Sequence, residues 1–220
     1  MPGIGINMPP QRMNLDGFMK IAILGTGNVG KALWKGLSKK HEVKFGSRNP
    51  IPSKVNCAEV LHLSDAAKWA DVVIAAVPYR AMRDVVEKAG NENLKGKVVI
   101  DVSNTLDESG AQAVVFSSSA AEELSKMLPG AKVVKAFNTV FAENMGSGSV
   151  GAHKLTLFIA GDDKSAKGIV EGIGKDIGFE PVDVGPLMTA RYIEPMGLAL
   201  ISMGFMQRMG TRIGISLVKD

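Results

Sequence analysis

The chain has 220 residues, of which 45% are hydrophobic and 5% aromatic, and its formal net charge is +4 at pH 7. This length can bury a core as one domain, or as one domain with a small appendage. An aromatic-poor chain rich in Gly, Val, Ile and Met favours an α/β class over an aromatic-cored β-sandwich. Lysines and arginines are scattered, which argues against a nucleic-acid partner.

Cysteine and histidine usage argues against disulfides and metal. Cys57 is the single cysteine, so we expect no internal disulfide and a reducing, cytoplasmic compartment. The histidines His41, His62 and His153 lie too far apart in sequence to suggest a metal site. No segment approaches the roughly 20 apolar residues of a membrane helix, so we expect no membrane partner. Residues 1–18 lack the pattern of a secretory signal and are predicted to be an N-terminal extension.

From Met19 onward, short β-rich runs alternate with helical stretches, which is typical of parallel strands joined by crossover helices. The predicted strands cover residues 20–24, 43–46, 72–77, 97–102, 132–137, 154–160 and 180–184. The predicted helices cover residues 28–39, 64–70, 82–89, 118–128 and 163–177. The pattern predicts a Rossmann-like, doubly wound, mostly parallel α/β sheet in a domain spanning residues 19–186.

The pattern changes in the C-terminal segment, residues 187–220. Residues 187–209 are apolar on most sides and rich in methionine, which predicts a short C-terminal helical element. Because this short segment offers too little of its own domain to cover so apolar a helix, we expect the helix to pack on a partner subunit. This predicts a homodimer. The alternative is that it packs only on its own sheet.

A glycine-rich turn, Gly25-Thr26-Gly27-Asn28-Val29-Gly30, follows the first predicted strand and opens the first helix. In this context Gly25 permits the tight turn, Gly27 lets the backbone approach a pyrophosphate, and Gly30 allows close packing of helix on strand. The free N–H groups and the helix dipole then face the phosphates. The turn therefore predicts a dinucleotide site.

The end of the second strand indicates which dinucleotide binds. An NAD site typically places Asp or Glu here for the ribose 2′-hydroxyl, whereas this chain has Ser47-Arg48-Asn49. Ser47 and Asn49 can donate hydrogen bonds, and Arg48 can pair with a 2′-phosphate or stack on adenine. These residues predict NADP rather than NAD.

Three later strand ends are expected to continue the site toward the nicotinamide, because cofactors lie across the carboxyl ends of parallel strands. They combine apolar contacts with amides and hydroxyls that suit the carboxamide and ribose. The segments are Val77-Pro78-Tyr79, Val102-Ser103-Asn104-Thr105 and Ala136-Phe137-Asn138-Thr139.

No catalytic acid or base can be identified in the sequence. Lys135 and Asn138 have the Lys-x-x-Asn spacing of β-hydroxyacid dehydrogenases, but Lys135 lies in an apolar strand. We expect Lys135 to alternate away from the site or to extend its amine to solvent, leaving Asn138 alone in the site. A Tyr-x-x-x-Lys pair is absent from the sequence. Direct hydride transfer to a second flat redox cofactor, with catalysis by alignment of two rings, is therefore favoured.

The chain resembles coenzyme F420-dependent NADP oxidoreductases and the related cytosolic NADPH domains of STEAP-type metalloreductases. The resemblance covers nearly everything after Met19. It is carried by segments 19–30, 46–50 (Gly46-Ser47-Arg48-Asn49-Pro50), 135–139 (Lys135-Ala136-Phe137-Asn138-Thr139), 160–163 and 190–196. It implies hydride exchange between NADP(H) and a deazaflavin or flavin, stacked on the nicotinamide, usually in a homodimer.

By position, the resemblance implies roles for several residues. Thr26, Gly27, Asn28 and Val29 would hold the pyrophosphate and the nearby ribose, and Ser47, Arg48 and Asn49 the 2′-phosphate. Val77, Pro78 and Asn138 would lie near the nicotinamide. Leu187, Met188 and Arg191 would meet the second ring, so that residues 187–220 complete its pocket.

The sequence leaves the identity of the second ring open. The turn at Gly25 and the segment 135–139 are closer to the metalloreductase domain, so the ring could be F420 or a flavin such as FMN or FAD. The leading prediction is an NADP(H):F420 oxidoreductase. The alternatives are an NADPH-dependent flavin or ferric reductase and a non-catalytic NADP(H)-sensing module.

Overall fold

The computed structural model describes residues 17–51, 58–106 and 117–220. Cys57 and residues 1–16 of the predicted extension lie outside these ranges. The strands are β1 Lys20–Leu24, β2 Glu42–Ser47, β3 Val60–His62, β4 Val72–Ala75, β5 Val98–Asp101, β6 Lys132–Lys135, β7 Ser149–Val150, β8 His153–Lys154, β9 Thr156–Gly161 and β10 Glu180–Asp183. The helices are α1 Asn28–Leu37, α2 Leu63–Trp69, α3 Met82–Ala89, α4 Asn91–Leu94, α5 Ala120–Met127, α6 Ala142–Met145, α7 Lys164–Ile177 and α8 Ala190–Ile201.

Eight strands form one sheet in the order β10-β9-β6-β5-β4-β1-β2-β3, and β7 pairs with β8 in a separate hairpin. Strands β1 to β6 run parallel, and only the β6–β9 pairing within this sheet is antiparallel. The order reverses direction at β1 and β4, where open α/β sheets bind ligands at the strand carboxyl ends. The predicted Rossmann-like, mostly parallel sheet is confirmed.

Helices cover both faces of the sheet, which explains why its strands are apolar runs rather than alternating ones. In β1, Ile21 and Ile23 pack into a core layer that includes residues of α1 and α7. Ala22 and Leu24 point the other way, into a layer that includes residues of α2, α3, α5 and α8. The strand positions in the two layers thus alternate with the period of two expected for a pleated backbone.

Several element boundaries differ from the sequence predictions. Strands β4 and β6 end two residues early, at Ala75 and Lys135, and Phe137 takes a left-handed φ of 65° that breaks the strand. The short elements β3, α4, α6 and the β7–β8 hairpin were not predicted. They have two to four residues each, too few to produce a recognisable periodicity.

The C-terminal segment begins as a single 3₁₀ turn at Leu187–Thr189, continues as α8 and ends in a π-type turn at Ser202–Met206. The predicted helical element is therefore present, although it stops before residue 209. Residues 207–220 have no regular secondary structure. Two carbonyl groups of this stretch, those of Thr211 and Ile213, accept hydrogen bonds from the Asn144 Nδ2 at 3.0 Å each. Among the described residues, no helix is long and apolar enough to cross a membrane.

A buried ionic cluster fixes α8 to the sheet. The Nζ of Lys135 lies 2.9 Å from the carboxylate of Asp101, 2.9 Å from that of Glu194 in α8, and 2.7 Å from the Ser103 carbonyl oxygen. Glu194 also accepts hydrogen bonds from the N–H groups of Ala120 and its neighbour at the start of α5. All three amine protons and both carboxylates are thus satisfied, as burial of charge requires.

One of the two predicted placements of Lys135, an amine that extends to solvent, is wrong, because its side chain is fully buried. The other, a side chain directed away from the site, agrees with the absence of Lys135 from the lining of both cavities. The two carboxylates supply the partners that an isolated strand lysine would lack. Burial alone would lower the pKa of Lys135, but Asp101 and Glu194 outweigh burial and raise the pKa above its ordinary value. The amine therefore stays protonated at neutral pH and does not act as a base.

Replacing Lys135 with Met removes the cation and leaves two buried carboxylates without a charge partner. We expect K135M to lose about 3 to 5 kcal/mol of unfolding free energy, measured by urea denaturation at pH 7. The matched control is K126M, which breaks an exposed pair with Glu123 and should change stability little. A K135M protein as stable as the wild type would contradict the structural role of the cluster.

Candidate functional site

The glycine turn joins β1 to α1 with a geometry that needs glycine at two positions. Gly25 has a φ of 119°, and a Cβ placed there would lie 2.3 Å from the Ala76 carbonyl oxygen. A Cβ at Gly30 would lie 2.4 Å from the Gly25 carbonyl oxygen. A Cβ at Gly27 would meet nothing within 4 Å. Gly25 and Gly30 are therefore required by packing, whereas Gly27 leaves open space over the turn.

The N-terminus of α1 is suited to an anion. Gly27 is its N-cap, no side chain caps the first N–H groups, and the first turn contains no acidic residue. The free N–H groups and the positive end of the helix dipole therefore face the open space above Gly27. A dinucleotide pyrophosphate fits this charge and this space.

A first cavity, of about 190 Å³, runs from the glycine turn to the end of β2. It is lined by Gly25, Thr26, Gly27, Gly46, Ser47, Arg48, Leu63, Ala76, Val77, Pro78, Ala81 and Val85. Arg48 donates to the Asp84 carboxylate of α3 at 3.2 Å, and more than half of the Arg48 side chain is exposed. Ser47 and Asn49 form a local turn, in which the Ser47 Oγ donates to the Asn49 carbonyl oxygen at 3.0 Å.

A second cavity, of about 320 Å³, continues from the glycine turn toward the ends of β4 and β5. It is lined by Gly27, Asn28, Val29, Ala76, Val77, Pro78, Tyr79, Val102, Ser103, Asn104 and Leu106. The two cavities share Gly27, Ala76, Val77 and Pro78, so they form one continuous depression across the strand ends. The depression is lined by sequence-predicted residues from the turn, β2, β4 and β5, but not by Gly30, Asn49 or Thr105.

Polar groups at the second cavity are only partly satisfied. The Ser103 Oγ is buried and has no hydrogen-bond partner among the described residues, and the same is true of the Thr105 Oγ1 and the Asn138 Oδ1. Burial, with a further contribution from Glu123, raises the pKa of Tyr79. The cavity thus offers an unused hydroxyl and a protonated phenol, which suits a ligand with a polar substituent on a flat ring.

Asn138 lies behind this cavity rather than on its wall. Its Nδ2 donates to the Ile193 carbonyl oxygen of α8 at 2.9 Å and lies 3.4 Å from the Asn104 Oδ1. Thr105 and Thr139 are buried beside the strand ends, and Phe137 is fully buried in the core. Of the predicted amides, Asn104 lines the cavity and Asn138 contacts Asn104.

An aromatic groove of about 400 Å³ adjoins the second cavity at Asn28. It lies between the start of α1 and the C-terminal segment, and Phe141 and Phe205 form an edge-to-face pair in its wall with ring centroids 5.7 Å apart. Its lining residues are Asn28, Lys31, Phe141, Ala142, Glu143, Phe205 and Thr211. Sequence analysis missed this groove, because its two phenylalanines are more than 60 residues apart and follow no motif.

The three residues predicted for the second ring lie elsewhere in the C-terminal segment. Leu187 is buried in the core, and its N–H donates to Asp162 at 2.9 Å. Arg191 makes a two-pronged ion pair with Glu122 of α5, at 2.8 and 2.7 Å. Met188 is about half exposed. None of the three lines the first cavity, the second cavity or the aromatic groove.

The described histidines and carboxylates form no metal site. His41 is buried, and its Nε2 lies 3.2 Å from the Asp176 carboxylate. His62 is exposed at the end of β3, and His153 is exposed in the β7–β8 hairpin. Within the part of the chain that the structure describes, no group of three or more His, Cys, Asp or Glu could hold a metal ion.

Comparison with known proteins identifies the family. A model for NADP oxidoreductases that depend on coenzyme F420 matches residues 20–105, which include the glycine turn and the ends of β2, β4 and β5. An F420-dependent NADP reductase from Methanocaldococcus jannaschii is 30% identical over 224 residues, covering 90% of this chain and 98% of that protein. The chain belongs to the F420-dependent NADP oxidoreductase family. It is therefore a member of a family of NADP-dependent oxidoreductases.

Two further proteins are similar to this chain. The crystal structure of a putative F420-dependent NADP reductase from Arthrobacter sp. FB24 superposes with a TM-score of 0.84 at 29% identity, covering 91% of this chain and all of that one. Metalloreductase STEAP3 from Rattus norvegicus is 32% identical over 189 residues, covering 83% of this chain. The chain spans 37% of the length of STEAP3, so it corresponds to a part of that protein.

The open space over Gly27 predicts separate effects on binding and folding. Gly27→Val should lower the melting temperature little, because no protein atom lies within 4 Å of the Cβ position, but its side chain should occupy the space over the α1 N-terminus. We expect binding of NADP(H) to weaken by about 2 kcal/mol or more, measured by calorimetric titration. Gly25→Ala is the contrasting variant, in which the strained φ should lower the melting temperature. Unchanged affinity in G27V would show that the pyrophosphate binds elsewhere.

Proposed function

We propose that this protein transfers a hydride between NADP(H) and the deazaflavin coenzyme F420 by direct ring-to-ring transfer. The observation that carries the proposal is the continuity of three spaces across one edge of the sheet. They are the first cavity at Arg48, the second cavity at Asn104 and the aromatic groove at Phe141. When bound, the reduced nicotinamide supplies a hydride that a flat redox ring accepts, which requires alignment more than acid or base groups.

The first cavity would select NADP(H) over NAD(H). The Arg48 guanidinium, the Ser47 hydroxyl and the Asn49 amide provide donors for a 2′-phosphate, and none of the described residues that line this cavity carries a carboxylate to repel it. Arg48 now pairs with Asp84 at the surface. An exposed ion pair of this kind is weak, so Arg48 can exchange Asp84 for a phosphate at little cost.

The turn and the second cavity would hold the rest of NADP(H). The backbone N–H groups of Thr26 to Gly30 would bind the pyrophosphate at the α1 N-terminus. Val77 and Pro78 provide an apolar face for the nicotinamide ring, while the Ser103 hydroxyl and the Asn104 amide are available to its carboxamide.

The aromatic groove is the place that fits the second ring best. It adjoins the proposed nicotinamide position at Asn28, it is larger than either of the first two cavities, and its wall contains two phenyl rings. Lys31 adds a positive charge to the lining for an anionic tail. The earlier assignment to Leu187, Met188 and Arg191 stays a prediction that the same experiment tests.

Residues 187–220 would then serve two purposes. Phe205 and Thr211 from this segment line the groove, which supports its proposed role in completing the second-cofactor pocket. The segment also exposes Tyr192, Phe205 and Met206, an apolar set that a second copy of the chain could cover. We therefore also propose a homodimer.

An NADPH-dependent flavin or ferric reductase is the second candidate. It is favoured by the similarity to STEAP3, a metalloreductase, over 83% of this chain. The first and second cavities would bind NADPH identically in this case, and only the occupant of the aromatic groove would differ.

Removing the Arg48 charge tests the nucleotide preference. Arg48→Ala should weaken NADPH binding by about 1.5 to 3 kcal/mol, the range for a hydrogen bond to a charged group, and should leave NADH binding nearly unchanged. Calorimetric titration measures both. Arg83→Ala, which removes an exposed arginine of α3 outside the lining of the first cavity, is the matched control. Equal losses for NADPH and NADH would contradict a 2′-phosphate contact.

The identity and place of the second ring can be tested in one assay. Protein, NADPH and either F420 or FMN are mixed, and NADPH oxidation is followed by absorbance. We expect oxidation with F420, and we expect Phe205→Ala to raise the KM for F420 while leaving NADPH affinity unchanged. Met188→Ala is the parallel variant for the sequence-based assignment. Oxidation with FMN but not F420 would favour the second candidate, and a KM change only in M188A would move the ring away from the groove.

A further inference from the structure

Gly197 of helix α8 lies close to the two asparagines at the strand ends. A Cβ built on Gly197 would lie 2.6 Å from the Asn104 Oδ1 and 2.7 Å from the Asn138 carbonyl oxygen. One of these atoms belongs to the backbone, so α8 or the strand end would have to move to admit any side chain. Gly197 itself lines none of the three spaces described above.

The carbonyl group of Ile193 in α8 determines which way the Asn138 amide is turned. A carbonyl oxygen accepts hydrogen bonds and cannot donate them, so the Nδ2 of Asn138 must face it, at 2.9 Å. This leaves the Asn138 Oδ1 buried and without a partner among the described residues. A buried acceptor left unused costs free energy, which indicates that the orientation is imposed by α8.

The orientation of the Asn138 amide in turn determines the orientation of the Asn104 amide. The Nδ2 of Asn138 also lies 3.4 Å from the Asn104 Oδ1, a long contact that favours the oxygen of Asn104 on the α8 side. The Nδ2 of Asn104 then lies on the side away from Asn138 and is the group left for the second cavity, which Asn104 lines. The cavity consequently presents an amide donor rather than an acceptor at this point.

We propose that α8 is a positioning element for the nicotinamide: through the Ile193 carbonyl group and the close approach at Gly197, it turns Asn138 and then Asn104 so that Asn104 donates to the carboxamide oxygen. The buried cluster of Glu194, Lys135 and Asp101 fixes α8 against the sheet, which keeps Ile193 and Gly197 next to the two asparagines. The inference rests on NADP(H) binding as proposed above, but not on the identity of the second ring.

The first test separates the two ends of the cofactor. Gly197→Ala should weaken NADP⁺ binding about tenfold, equivalent to one lost hydrogen bond, and leave binding of 2′,5′-ADP, which lacks the nicotinamide, within about twofold. The fluorescence emission of bound NADPH should shift at the same time, because the ring loses its fixed environment. Gly172→Ala is the matched control, since this helical glycine has nothing within 4 Å of its Cβ position. Wild-type affinity for both ligands in G197A would overturn the proposal.

A second variant covers the case in which G197A destabilises the fold and loses both ligands. Asn138→Asp keeps the shape but removes the donor that faces Ile193, and burial should raise the pKa of the new carboxyl group. As the pH falls through that pKa, the carboxyl group gains an O–H that can donate to the Ile193 carbonyl oxygen. The ratio of N138D to wild-type NADP⁺ affinity should therefore rise toward acid pH, while the ratio for 2′,5′-ADP stays constant. A pH-independent ratio for NADP⁺ would overturn the proposal.

These outcomes also separate this inference from the proposed function. A wild-type protein that binds NADP⁺ but does not oxidise NADPH with F420 would contradict the hydride acceptor and leave the role of α8 to be decided by the two variants. A wild-type protein that binds neither NADP⁺ nor 2′,5′-ADP would overturn both.

Discussion

The buried ammonium group of Lys135 is the contact on which the arrangement of the strand ends depends. It joins Asp101 at the end of β5, the Ser103 carbonyl group just beyond, and Glu194 of the C-terminal helix, all within 2.9 Å. Glu194 in turn accepts from the first N–H groups of α5, whose positive helix end favours a carboxylate. A cluster of this kind is strongly destabilised when one member is removed, so two strands and two helices are held in a single relative position. That position sets how closely α8 approaches the asparagines at the second cavity.

The other requirement of the site is a close approach of backbone to backbone at the glycine turn. Gly25 and Gly30 allow β1, the start of α1 and the end of β4 to meet without an intervening side chain. The result is a helix N-terminus with free N–H groups at the centre of the depression, with Arg48 on one side and Asn104 on the other. A single dinucleotide can therefore satisfy a cationic end, an anion-binding centre and an amide end at the same time.

The relatives carry names for different activities, an F420-dependent NADP reductase in one case and a metalloreductase in the other. Within this chain the aromatic groove at Phe141 and Phe205 is the part of the site whose occupant would distinguish them. Half of that pair comes from the C-terminal segment, which is also where large apolar side chains are exposed. Acceptor choice and subunit association are thus proposed to depend on the same segment, and the NADP-binding turn is independent of both.

The sequence alone determined the α/β class and the order of the long elements, and it predicted the dinucleotide turn and the preference for NADP. Each follows from local features, namely apolar periodicity, glycines at fixed spacing and the absence of an acid after β2, which act within about 20 residues. It failed for Lys135, because the two carboxylates that make burial of its charge possible come from positions 101 and 194. The aromatic groove and the orientation of Asn138 could not be read from the sequence for the same reason. Contacts between residues far apart in the chain exist only after the sheet and α8 have packed, so the tertiary structure alone decided which polar groups are satisfied and which remain available to a ligand.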